Sequence, residues 1–172
     1  MMQASATALG LCLVGSAALA EQVTFDPAPV IACLDQGAQH ACIGAGRDPC
    51  ARQNLPSTVV IEGCLKAEYE FWQGLAERAY AGLEAEGLGI DARTEFADPQ
   101  PPRRVAALER AHQAWLDYRE AHCAYQLARW HGGSGAGGAF YRCKMELTGA
   151  YALQLQPDIW MDHDYQDEDA RR

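Results

Sequence analysis

The sequence predicts an all-α fold: an antiparallel helical hairpin with a third helix folded against it, stabilised by disulfides and preceded by an irregular Cys-rich segment. Three observations predict it. Apolar residues recur at helical spacing over two long stretches and one shorter one. Gly and Pro clusters separate those stretches. Six of the cysteines lie beyond an export leader, and no stretch shows the apolar-polar alternation of a strand.

The leader is the first element. Residues 1–20 read as a signal peptide: "LGLCLVGSAALA" is an apolar run that ends in the small-x-small step Ala18-Leu19-Ala20, just before Glu21. The run is too short to span a bilayer, and no Lys or Arg precedes it. Cys12 follows Leu11, whereas a lipid-attachment cysteine would follow a small residue. The expected location is periplasmic or secreted, after cleavage near Ala20. The leader has no charged residue, so the mature chain keeps the net charge of -9. That balance argues against nucleic acid and anionic membrane surfaces as partners. It suits a cationic partner, or simply solubility. No later stretch is apolar enough to be a membrane span.

Residues 21–56 form the Cys-rich segment. "CLDQGAQHACIGAGRDPC" has no sustained periodicity and cannot build a core alone. The helical domain is placed at 57–156. Ser57 or Thr58 is a good N-cap. A stripe then runs through Ile61, Leu65, Trp72, Leu75, Ala79 and Leu83, until Gly87 and Gly89. "GLGIDARTEFADPQPP" is the connection, and Pro101 and Pro102 suit the first turn of the second helix. Its stripe passes through Val105, Leu108, Trp115, Tyr118 and His122 towards Leu127, and Gly132 and Gly133 stop it. A third helix starts near Gly138 and runs through Cys143, Leu147, Ala150 and Leu153 to Pro157. The remaining residues, 157–172, make an acidic, flexible tail.

A short connection makes the first two helices antiparallel. A loop centre near residue 94 sets Glu68 level with Arg119 or Glu120, Trp72 with Trp115, Tyr80 with Leu108, and Cys64 near Cys123. Trp72 and Trp115 are then core residues. Charges on the inner edge of a hairpin need partners. Arg119 with Glu68 therefore reads either as a structural ion pair or as a polar binding site. The turn "HGGSGAGG" reads either as a plain reversal or as a contact loop through His131, Gly132, Gly133 and Ser134.

Enzyme chemistry has little support. The sequence carries no nucleophile elbow, P-loop or dinucleotide fingerprint. The histidines are scattered, and His112 and His122 are too far apart on one helix to chelate together. Neither C-x-x-C nor H-x-x-x-H spacing is present, so no metal or other cofactor is expected. An even cysteine count in an exported chain reads as three disulfides.

"CLKAEYEFWQGLAERAYAGL", "ALERAHQAWLDYREAHCAYQ", "GGS" and "CKMELTGAYALQL" together resemble the LprI-like lysozyme-inhibitor family, over roughly residues 60–155. Cys64, Glu68, Trp72, Tyr80 and Leu83 match the family's first helix, while Ala76 and Glu77 replace its Leu-Asn pair. Ala111, Trp115, Arg119 and Cys123 match the second; His112 replaces a Gln and Glu120 an Asp. Cys143 and Thr148 match the third, and Tyr151 stands where the family has Arg. Locality together with the resemblance pairs Cys123 with Cys143, Cys50 with Cys64 and Cys33 with Cys42. The rival is Cys64 with Cys123. The resemblance implies a small exported helical binding protein that inhibits a lysozyme, a cationic partner for an acidic chain. The alternative is an interaction module of the cell envelope with no effect on lysozyme.

Overall fold

The computed structural model describes residues 23–37, 39–96 and 99–169, with side chains as far as residue 156; the leader lies outside them. Every regular element among them is helical: α1 (Ala28–Asp35), a 3-10 turn (Gln39–Cys42), α2 (Arg47–Gln53), α3 (Thr58–Arg93), α4 (Arg104–Ala128) and α5 (Ala136–Asp169). None of the described helices is long and apolar enough to cross a membrane.

Ser57 starts α3. Its backbone is extended, and its hydroxyl accepts a hydrogen bond from Val60 N at 3.2 Å, which satisfies one of the free N–H groups of the first turn. Gly87 and Gly89 do not end this helix, which runs on to Arg93. Gly87 is buried under Val105 of α4, where a Cβ would come within 3.1 Å of the valine. Close packing thus offsets glycine's low helix propensity.

The two prolines precede α4 rather than opening it, and the helix begins at Arg104. Its first turn is capped from α3. Asp91 accepts from Arg104 N at 2.8 Å and from Val105 N at 3.2 Å. The Arg104 N–H is the main reason that the Asp91 carboxyl sits below its usual range.

The two helices run antiparallel; the anticipated register holds where Tyr69 meets Arg119 and drifts by about one turn towards the loop, where Tyr80 meets His112, ring centres 4.4 Å apart, rather than Leu108. The main partner of α3 is α5, which also packs along α4. Trp72 and Leu65 from α3 join Met145, Ala152 and Leu153 from α5 in the core. Tyr118, placed in the inner row by periodicity, instead faces outward and is 54% exposed. α5 begins at Ala136 and its backbone continues past Pro157, where the sequence suggested a stop.

The Cys-rich segment is partly helical, and its two helices of seven or eight residues are too short to show an apolar period. Val30 and Cys42 enter the main core. Cys50, Val60 and Cys64 form a second cluster with Val23 and Phe25. Three disulfides join Cys33–Cys42, Cys50–Cys64 and Cys123–Cys143, with Cα separations of 5.5, 5.8 and 5.5 Å. Cys64 therefore bonds to α2, not to Cys123 on α4.

Candidate functional site

Glu68 and Arg119 do not pair. Glu68 is wholly buried and points into the Cys-rich segment. Its Oε1 accepts from Gly44 N at 2.6 Å and Trp72 Nε1 at 3.1 Å. Its Oε2 accepts from Gly46 N at 3.1 Å and Arg47 N at 2.7 Å. The segment wraps its backbone around one carboxylate. Four donors on two oxygens replace the water lost on burial.

Neighbouring residues on a helix point about 100° apart, and it is Tyr69 that faces α4. The Arg119 guanidinium lies 5.7 Å from the Tyr69 ring centre and 4.7 Å from that of Trp115. It donates to Thr148 Oγ1 at 3.3 Å and to Glu120 Oε1 at 3.2 Å. Lys144 Nζ donates to the same Glu120 oxygen at 2.8 Å, and this bond is the main reason that the Glu120 carboxyl is held below its usual range. Arg119 is 7% exposed, and its Nε finds no partner among the described residues. The cluster ties α4 to α5 and α3, and it presents little surface to a partner.

The turn between α4 and α5 presents much more. His131, Gly132, Gly133 and Ser134 are all exposed. His131 and Gly132 are both left-handed, with φ of 47° and 79°. Glycine adopts that region freely, but a histidine there is strained by about 1 kcal/mol. The turn is nonetheless ordered by backbone bonds: His131 N donates to Ala128 O at 3.2 Å, Gly133 N to Trp130 O at 2.8 Å, and Ala136 N to Gly133 O at 3.0 Å. The Trp130 ring lies over Gly135 so closely that any side chain there would collide with it. Below the turn, Cys123–Cys143 locks the two arms.

An open groove of about 510 Å³ runs from this turn between α3, α4 and α5. Ile61, Leu65 and Leu147 supply apolar lining, and His122, Gln126 and Glu146 supply polar groups. Trp130, 51% exposed, stands where the groove meets the turn. The sequence signalled the turn through its glycines; it gave no sign of the groove, whose walls come from three separate helices. Among the described residues no group of three or more His, Cys, Asp or Glu could hold a metal.

A family model described as lysozyme inhibitor LprI matches residues 50–155, well over half of the chain. The chain belongs to the LprI family. The match begins at Cys50 and so takes in the α2–α3 disulfide, all of α4, the glycine turn and α5 as far as Leu155. It leaves out Cys33–Cys42 and the Gly44–Arg47 wrap around Glu68. No match is found among curated proteins or among solved structures.

Proposed function

We propose that this chain is exported, folds in an oxidising compartment and inhibits a lysozyme by binding it, with the His131–Ser134 turn and the adjoining groove as the contact face. Membership of the LprI family carries the reading. The shape of the turn supports it: an exposed tip, held rigid from below, loses little conformational freedom on binding. The left-handed His131 supports it too. It is exposed at the tip, and residues in sparsely populated backbone regions cluster at binding sites. The net charge of -9 would speed encounter with a cationic enzyme, an effect that weakens as salt rises.

Arg119 and Glu68 belong to the scaffold in this reading. Each is buried and engaged with its own chain, so substitution there lowers stability first and binding only as a consequence. The test is titration of the mature oxidised protein against lysozymes acting on cell walls, at low and physiological salt. Dose-dependent inhibition of at least one lysozyme class is the expected result, and no inhibition of any class overturns the proposal.

A further inference from the structure

α4 has a second face that the described residues leave uncovered. Ala111, Ala114, Tyr118, Ala121, Tyr125 and Ala128 follow one another at spacings of three and four residues, and all six are exposed. This is the heptad spacing of a helix-to-helix seam. It lies opposite the side that carries Arg119 and Cys123 inward. Exposed alanine alone would say little, because alanine is a good helix former. The tyrosines say more: Tyr118 and Tyr125 fall on the same stripe one heptad apart, 54% and 62% exposed. On the solvent side of α3, by contrast, Lys66, Glu70, Glu77 and Arg78 are exposed.

We infer that this face binds a second copy of the chain, with the two α4 helices antiparallel. The order of the stripe is self-complementary. A two-fold axis between Tyr118 and Ala121 sets Tyr118 against Ala121 of the second copy, Tyr125 against Ala114, and Ala111 against Ala128. Each tyrosine then meets an alanine, so the layers have more even widths and the helices can pack closely. A parallel pair would alternate Tyr–Tyr with Ala–Ala layers and leave gaps. Charge permits the pairing. Apart from the inward Arg119, α4 carries Arg104 and Arg110 against Glu109, Asp117 and Glu120, so it is close to neutral although the whole chain is at -9. Each copy carries a net charge of -9, so added salt, which screens their mutual repulsion, strengthens the dimer. Helix geometry makes the strip about 30 Å long and about 10 Å wide. That is small beside the roughly 800 Å² per partner of a standard interface, so the dimer is expected to be a weak one.

Sedimentation equilibrium of the mature oxidised protein up to about 1 mM, a range that reveals even weak association, tests the inference. The expected result is a monomer–dimer equilibrium that tightens with salt. Ala114→Glu and Ala121→Glu should each yield monomer with unchanged helical circular dichroism, while Ala81→Glu, the same change on α3, should leave the dimer intact. A wild-type chain that stays monomeric throughout the range overturns the inference. So does a dimer that survives both α4 substitutions. A monomeric wild type whose lysozyme inhibition is lost in Ala114→Glu also overturns it, because the seam would then receive the enzyme instead of a second copy.

Discussion

His112 Nδ1 and Tyr151 Oη lie 2.9 Å apart, joining α4 to α5 by a hydrogen bond within an aromatic cluster. The Trp115 and Tyr151 rings stack at 3.9 Å, and Tyr80 closes on His112 from α3. His112 and Tyr151 are two of the positions at which the chain departs from the pattern it otherwise resembles. The departures meet in space: where the pattern has Gln and Arg, this chain has a histidine bonded to a tyrosine. In this chain that pair makes a polar link between α4 and α5.

The cluster makes stability pH-dependent. Burial, and then the charge on Arg119, push the His112 ring below its ordinary value of 6.5. The groups around it are Tyr80, Trp115 and Tyr151 together with that arginine. The folded state therefore favours the neutral ring. This contribution is fully present above the unfolded value and is lost as pH falls through it towards the lower folded value. Urea denaturation at pH 7.5 and pH 5.5 should show wild type losing more stability than His112→Gln. Equal losses would mean that His112 titrates alike in both states.

Glu68 anchors the Cys-rich segment. Glu68→Ala leaves four N–H donors without their acceptor and should lower stability by about 3 kcal/mol or more. Glu68→Gln should also destabilise, because its amide puts a donor where two N–H groups already point. Hydrogen exchange gives the sharper readout: Gly44, Gly46 and Arg47 amides should lose protection before those of α5. Unchanged protection at these amides would contradict the anchoring role.

The Cys123–Cys143 bond closes a separation of 20 residues. Replacing both by serine should cost about 3 kcal/mol in the chain-entropy model. The groove and the turn should loosen together, and proteolysis should begin near Ser134. A double variant with wild-type stability and protease resistance would show that the bond adds nothing to the scaffold.

Helix existence was legible because two long apolar stripes and a shorter one lie between clusters of Gly and Pro. The ends were less so. Gly87 resembled a terminator because nothing in the sequence shows Val105 resting on it, and Asp91 could not be read as the cap of a helix thirteen residues away. Tyr118 fits the inward stripe by its spacing from Trp115 and His122, but the same spacing also fits an outward stripe with Ala114, Ala121 and Tyr125, and periodicity alone does not choose between them. The glycine turn was legible by composition alone. The Glu68–Arg119 pair was misread because register gives height along a helix but not direction around it. At the same height Tyr69, not Glu68, faces α4.

The strained tip separates function from stability. His131→Gly keeps the left-handed turn and relieves the histidine's strain, against glycine's greater chain entropy. Its effect on stability should lie between neutral and a gain of about 1 kcal/mol. Its affinity for lysozyme should nevertheless fall. A variant that binds as tightly as wild type would remove His131 from the contact face.

The most direct measurement is lysozyme inhibition by wild type and by a tip variant, His131→Gly with Ser134→Ala, both oxidised and both shown by circular dichroism to be folded. Wild type should inhibit at least one class of lysozyme, and the tip variant should need at least tenfold more protein for the same effect, a shift of about 1.4 kcal/mol. Equal potency of the two, or no inhibition by wild type, would contradict a binding face at the glycine turn.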